Sequence, residues 1–294
     1  MYDQIASNKR RSALLIGVFV ALIVLLGWVF GELTGYGYVA PLLASGVAAA
    51  MAWGSYRYSD RIVLSMSRAR PADPRADQYL VNTVEGLAIA AGVPKPAAYV
   101  VEDPAPNAFA TGRDPEHAAI AVTTGLVEKL DRLELEGVVA HELAHVRNYD
   151  VRLQTLTAVL AGTVVLMADW MRRWMWWGGR GRRRGESGAG IAFLVLGLVS
   201  AILAPLAALA IHSAISRRRE FLADADGALL TRYPPGLAGA LRKIAEDPNR
   251  LRVANKATAP LWIANPLRDY GGRVNAMFET HPPIEERIRR LEAM

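Results

Sequence analysis

The apolar run from Ala13 to Phe30 is the feature that most constrains what this chain can fold into, because it contains no charged side chain. At about 1.5 Å per residue, a helix of this length spans roughly 27 Å, close to the hydrocarbon core of a bilayer. A second apolar run, from Val39 to Gly54, follows after a short turn that contains glycine. Two such runs in close succession predict a transmembrane hairpin and argue against a cleaved signal peptide.

Two further apolar runs lie in the second half of the chain, at Leu156–Ala168 and Gly188–Ile211. The first is short for a membrane span, and the second is long enough. These runs are consistent with a second membrane hairpin, with a pair of helices that does not fully cross, or with buried helices of a soluble core.

Basic residues near the apolar runs predict the orientation. Lys9, Arg10 and Arg11 precede the first run, the first turn carries Glu32 and no basic residue, and several arginines follow the second run. Because Lys and Arg favour the cytoplasmic side, we expect the N-terminal tail and the region after the second run to face the cytoplasm.

The arginine-rich stretch between runs three and four (172–184) contradicts a simple four-span arrangement, which would place it outside. Tryptophans are interleaved with these arginines, which is typical of an interfacial anchor for anionic lipid. The formal net charge of +6 therefore indicates a lipid bilayer as a partner and no nucleic acid.

The rest of the chain predicts a mainly α fold with a small β-sheet. Apolar residues at helical spacing predict a helix over 78–91, and short apolar runs predict strands at 97–101 and 118–124. Further helices are expected from Glu134 to Tyr149 and through the C-terminal third, whereas 104–112 reads as a loop or an edge strand. We expect four segments: a transmembrane hairpin (1–56), a first aqueous part (57–152), a hydrophobic hairpin with an Arg-rich loop (153–212) and a second aqueous part (213–294).

The helix predicted from Glu134 carries the sequence His141-Glu142-Leu143-Ala144-His145. The chain has no cysteine, so any metal must be held by His, Asp or Glu. Two histidines four residues apart lie on one face of a helix and can reach one ion, while Glu142 can take a proton from an attacking water. The pattern predicts a zinc hydrolase site.

A catalytic zinc site needs a third protein ligand, and a glutamate from a later helix is a common one. Glu220 fits this role, and Asp224, on the same helical face, can accept a hydrogen bond from the far nitrogen of a ligating histidine. Because one zinc ion cannot be shared across a bilayer, runs three and four, which separate His145 from Glu220, are expected to cross the membrane twice or not at all.

Five sequence blocks in order resemble the HtpX-like membrane zinc metalloproteases, relatives of the CAAX prenyl endopeptidases and the Oma-type proteases. They follow the N-terminal hairpin along nearly the whole chain: 106–112 (PNAFATG), 121–126 (AVTTGL), the HELAH sequence through Asn148 and Asp150, 216–224 (SRRREFLAD), and 280–283 (THPP) with Arg287. The resemblance implies a zincin-type, gluzincin-like catalytic domain in an integral membrane protein. Its first catalytic part would be 57–152, with the helix that carries His141 and His145, and its second catalytic part 213–294, with Glu220.

The resemblance also implies roles for individual residues. His141, His145 and Glu220 would be the ligands of one Zn²⁺, Glu142 the catalytic base, and Asp224 a support of the site. His281 and Arg287 would support either the transition state or the structure. The edge strand that binds substrate would contain Asn107, Ala108, Phe109 and Ala110.

The family's activity is ATP-independent endoproteolysis of membrane proteins in bacterial quality control under stress. The resemblance therefore implies a multi-pass protein of the bacterial inner membrane, with its catalytic domain in the cytoplasm and membrane proteins as substrates. Two alternatives remain: a narrow-specificity endopeptidase of the prenyl-peptide type, and a catalytically silent membrane scaffold.

Overall fold

The structure, a computed structural model, describes residues 2–160, 217–255, 258–266 and 282–294. Most of Leu156–Ala168, all of Gly188–Ile211, the arginine-rich stretch and His281 lie outside these residues. Within them the fold is mainly helical with one small mixed sheet, as the sequence predicts.

Two long helices form the N-terminal hairpin: α1 (Tyr2–Thr34) and α2 (Val39–Met66). They approach closely where Gly27 of α1 faces Ala44 of α2, with no room for a Cβ atom at the glycine. Large apolar side chains on both helices point outward, away from the hairpin contact: Leu14, Val18, Leu25, Trp28, Leu42, Leu43, Val47 and Trp53.

Among the described residues, α2 is the one helix whose length and composition suffice to cross a membrane. Only 11% of its most apolar window is buried, so it is not the core helix of a soluble domain. The helix continues to Met66, past the expected segment boundary at residue 56, and its end packs into the catalytic part through the buried Val63 and Leu64.

The sheet has four strands in the order β1-β2-β4-β3: β1 (Arg70–Pro71), β2 (Ala97–Val101), β3 (Ala108–Gly112) and β4 (Ala118–Thr123). β2 and β4 run parallel, while β1 and β3 are antiparallel to their neighbours. β3 is thus an edge strand, one of the two readings that the sequence allows for 104–112.

Helices pack on this sheet around one buried apolar cluster. They are α3 (Gln78–Ala91), α4 (Thr124–Lys129), α5 (Arg132–Arg147), α6 (Arg217–Thr231), α7 (Pro234–Glu246) and α8 (Ile284–Glu292). Residues 150–160 are also helical. α5 runs through the middle of the catalytic part, because α3, α6, α7 and β3 all contact it.

Candidate active site

The start of α5 is fixed by a capping box. The Asp131 side chain accepts a hydrogen bond from the Glu134 main-chain N–H, and the Glu134 carboxylate accepts one from the Asp131 N–H. These two bonds satisfy main-chain donors that a helix N-terminus leaves without partners. The helix therefore begins at a defined residue, which sets the faces on which His141, Glu142 and His145 lie.

α6 approaches α5 closely at His141. A Cβ atom on Gly227 would stand 3.0 Å from the His141 main-chain nitrogen, so glycine allows the two backbones to meet here. Ala223, also buried, lies on the same face of α6. This contact brings Asp224 and Glu220, one turn and two turns before Gly227 on α6, beside the two histidines.

His141, His145 and Glu220 form a buried cluster that could hold a metal ion, with one candidate ligand atom from each residue within 4.8 Å of the others. The two Nε2 atoms are 3.2 Å apart, and Glu220 oxygens lie 3.5 Å from His145 Nε2 and 4.0 Å from His141 Nε2. Tetrahedral ligands bound at about 2.0–2.1 Å are roughly 3.3–3.4 Å apart. The donor set and its spacing therefore fit such an ion.

Each histidine is oriented through its other nitrogen by a separate carboxylate. Asp224 Oδ1 is 2.9 Å from His141 Nδ1, and Asp150 Oδ2 is 3.2 Å from His145 Nδ1. A carboxylate on Nδ1 directs the Nε2 lone pair towards the ion. The Asp224 contact agrees with the sequence prediction, whereas the role of Asp150 was missed. The sequence feature that could have indicated this role is the position of Asp150, five residues after His145 and just beyond the end of α5.

Arg287 of α8 holds Asp224 from the opposite side. Its guanidinium donates two hydrogen bonds to the Asp224 carboxylate, at 2.9 Å from Nε and 2.7 Å from Nη2, and a third to the Ile263 carbonyl. The side chain is fully buried. The same guanidinium also lies 3.8 Å from Glu220 Oε2, so the two roles that the sequence left open for Arg287, transition-state support and structural support, stay predictions.

Burial and neighbouring charges shift the pKa values of the two histidines in opposite directions. Burial lowers the pKa of His141 to about 4, despite the hydrogen bond to Asp224. Burial also opposes the charged form of His145, but the hydrogen bond to Asp150 and the charge of Glu220 outweigh it and raise the pKa to about 9. His141 is thus neutral and ready to ligate at pH 7, whereas His145 must give up a proton.

Glu142 lies beside this cluster and is buried. Burial, the largest effect, raises the pKa of its carboxyl to about 7. The Ala110 main-chain N–H on the edge strand acts in the opposite direction and lowers this pKa. A carboxyl with a pKa near neutrality can both accept and return a proton at physiological pH.

The outer edge of β3 is partly covered. The Ile263 N–H donates to the Ala108 carbonyl, and the Asn107 amide exchanges hydrogen bonds with the Ala264 main chain. Phe109 packs edge-on against Trp262. Sequence reasoning missed this contact of residues 262–264, because a short irregular segment carries no pairing signal. The Ala110 main chain, next to Glu142, is therefore the position at which an extended peptide could pair with the strand.

Comparison with known proteins agrees with this geometry. The protein-family model described as "Peptidase family M48" matches residues 74–294 of this chain. "Protease HtpX homolog" of Thermoanaerobacter pseudethanolicus is 46% identical over 296 residues, covering 100% of this chain and 98% of the relative. The protein of the same name from Dictyoglomus thermophilum is 46% identical over 293 residues, covering 100% and 94%.

A solved structure shares the fold. The crystal structure of S. mikatae Ste24p matches with a TM-score of 0.50 at 19% sequence identity, covering 99% of this chain and 67% of that one. At this identity the likeness concerns the fold alone.

Proposed function

This chain belongs to peptidase family M48 and is a metalloprotease, and on that premise we propose that it is a zinc-dependent, ATP-independent endopeptidase acting on misfolded or damaged membrane proteins. The observation that carries the proposal is the buried His141–His145–Glu220 cluster with Glu142 beside it. Two imidazoles and a carboxylate, with no thiolate in the chain, form a ligand set that suits catalytic zinc.

His141, His145 and Glu220 would hold the ion, and Asp224 and Asp150 would keep both imidazoles in the ligating orientation. When bound, zinc supplies Lewis-acid chemistry, which polarises the scissile carbonyl and makes water acidic enough to attack near neutral pH. Glu142 accepts the proton of the attacking water and returns it to the leaving amine. Its pKa near 7 suits both transfers.

The edge strand would align the substrate. An extended peptide that adds to β3 gains main-chain hydrogen bonds that do not depend on its side chains. Of the expected substrate-binding residues Asn107, Ala108, Phe109 and Ala110, the pairing position would be Ala110, because the Ala108 carbonyl already accepts a hydrogen bond from Ile263 and the Asn107 amide is bonded to Ala264. Such binding gives modest sequence preference, as a quality-control protease requires.

The hairpin would anchor the enzyme in the membrane, with a zincin-type, gluzincin-like catalytic domain on the cytoplasmic side. The outward apolar side chains of α1 and α2 support lipid contact, and the names and organisms of the relatives support a bacterial HtpX-like protease, for which we propose the inner membrane as the location. A multi-pass arrangement follows if Ala13–Phe30 and α2 both cross. The narrow-specificity alternative has no specific support, since the likeness to Ste24p concerns the fold alone.

The proposal is tested by metal analysis and casein cleavage on the same purified samples in detergent. Wild type should contain one zinc per chain and cleave casein. Glu142→Gln should keep its zinc but lose activity by about 10²–10⁴-fold, the range for a general acid–base. Glu220→Ala should lose both its zinc and its activity on casein. Full zinc with full activity in Glu220→Ala would overturn the ligand assignment, and a fully active Glu142→Gln would overturn the base.

A further inference from the structure

The N-terminal helix reaches the metal site through one side chain. Asn8 is fully buried, and its amide nitrogen donates a hydrogen bond to Asp150 Oδ1 at 2.6 Å. The other oxygen of the same carboxylate contacts His145 Nδ1. Asn8, Asp150 and His145 therefore form a continuous chain of polar contacts from α1 to the candidate metal ligand.

The same amide also bridges the turn that carries Asp150. Its nitrogen donates a second hydrogen bond, 2.9 Å long, to the Asn148 carbonyl, so Asn8 contacts both ends of the turn 148–150. Tyr149, between them, has a φ of 59°, a left-handed conformation that is costly for a residue with a Cβ atom. The Lys9 ammonium stands 4.3 Å from the centre of the Tyr149 ring. Two consecutive residues of α1 thus hold this strained turn.

The hydrogen bond to Asp150 Oδ1 comes from Asn8. Arg219 is the nearby cation, and its Nη1 lies 3.9 Å from Asp150 Oδ1, beyond hydrogen-bond distance. The Asn148 side chain is directed elsewhere, to Asp226 at 3.0 Å. Asn8 therefore fixes the rotation of the Asp150 carboxylate, because it holds the oxygen that does not contact His145.

We propose that Asn8 is a positioning residue of the metal site: it fixes Asp150 and the turn 148–150, and through them the orientation of His145. The N-terminal helix is then a part of the metal-binding machinery as well as a membrane anchor. This inference rests on the proposed zinc-peptidase function, because it requires His145 to be a ligand.

The test measures zinc affinity by competition with a chelator, together with kcat and KM on casein, for the full chain in detergent. Asn8→Ala should weaken zinc binding by about tenfold, the lower end of the effect of supporting residues. At saturating zinc, kcat should fall while KM stays within twofold, because Asn8 does not contact the substrate edge. Asn8→Asp, which keeps the size but places a carboxylate against Asp150, should weaken zinc binding further.

Two controls separate positioning from folding. Ala6→Asp adds the same charge at an exposed site on the same helix and should leave zinc affinity within twofold of wild type. In an Asp150→Ala background, Asn8→Ala should change zinc affinity by less than twofold, since the contact through which it acts is gone.

The outcomes are distinct. Unchanged zinc affinity in Asn8→Ala and Asn8→Asp, or an equal loss in both backgrounds, overturns the inference while the peptidase function stands. Should Asn8→Ala fail to fold, Asn8→Leu, which keeps the size, removes the hydrogen-bond donor and adds no charge, decides in the same assay. If the wild type binds no zinc, the proposed zinc-peptidase function itself is contradicted.

Discussion

Arg287 is a buried residue that contacts the candidate site through the Asp224 carboxylate. Its charge is matched by Asp224, which in turn orients His141. The pair is buried on both sides, so that removing the cation would leave a carboxylate without compensation in a low-dielectric region. The guanidinium also gives the two parallel hydrogen bonds that a lysine cannot supply.

Arg287→Met should therefore destabilise the protein by about 3–5 kcal/mol and weaken zinc binding by about 10–100-fold. Arg289→Met, on the exposed side of the same helix, should change stability by less than about 0.5 kcal/mol. Urea unfolding and chelator competition on both variants measure these effects. Equal behaviour of the two variants would contradict the supporting role.

The protonation of His145 predicts a pH dependence of metal binding. Its pKa is raised from 6.5 to about 9, so its proton contributes stability to the metal-free fold that is fully present below pH 6.5 and is lost as the pH rises towards 9. Zinc must displace that proton. Apparent zinc affinity should consequently rise by up to about tenfold per pH unit between pH 6.5 and 9.

Chelator competition across this pH range measures the slope. In Asp150→Asn the hydrogen-bonding charge that raises the pKa is removed, and the slope should flatten. A slope that is the same in both proteins would contradict this account of His145.

At the scale of elements, glycine decides how closely the helices pack. Gly137 of α5 faces α7, where a Cβ atom would stand 2.6 Å from the Leu237 main-chain nitrogen. Gly86 of α3 has open space at the corresponding position. The two glycines occupy similar helix interiors and differ in what surrounds them.

Gly137→Ala should destabilise by about 1–3 kcal/mol through overpacking, although alanine is the better helix former. Gly86→Ala should stabilise by about 0.5–1 kcal/mol, since only the propensity changes. Thermal unfolding of the two variants tests the opposite signs, and a stabilised Gly137→Ala would show that α5 and α7 can separate at little cost.

The elements were predictable where local signals suffice. The helix 78–91 ends where expected, because Gly92 adopts the left-handed conformation that stops it. α5 begins two residues before the expected Glu134, since Asp131 caps it and makes Glu134 its third residue. α2 extends beyond the end of its apolar run. The apolar run indicates where the helix contacts lipid, whereas the rest of the helix continues into the domain.

Part of the candidate site was predictable in the same way. Spacing within two helices predicts His141, Glu142, His145, Glu220 and Asp224 as its residues, and their roles stay predictions. The contact of Asn8 with Asp150 joins residues far apart in sequence and has no local pattern. The pairing of Ile263 with Ala108 likewise depends on tertiary packing alone.

At the scale of the whole molecule, the absence of cysteine makes the membrane arrangement testable, because any introduced thiol is the single one in the chain. Tyr36, in the turn between α1 and α2, and Lys95, in the catalytic part, are both exposed. If the hairpin crosses the membrane with the catalytic part inside, they lie on opposite sides.

In intact spheroplasts, Tyr36→Cys should react with a membrane-impermeant maleimide. Lys95→Cys should react only after permeabilisation. Labelling of Lys95→Cys in intact cells would contradict a cytoplasmic catalytic domain, and protection of Tyr36→Cys would contradict a crossing hairpin.

The site residues are synthesised in the order in which they occur along the chain. Asn8 leaves the ribosome first, His141 and His145 follow midway, Glu220 comes much later, and Arg287 comes last. A nascent chain that stops before Glu220 carries two of the three candidate ligands, and one that stops before Arg287 lacks the cation that donates hydrogen bonds to Asp224. Proteolytic competence therefore waits until the hairpin has long been made, which spares the membrane and the growing chain from a protease that is active before it is complete.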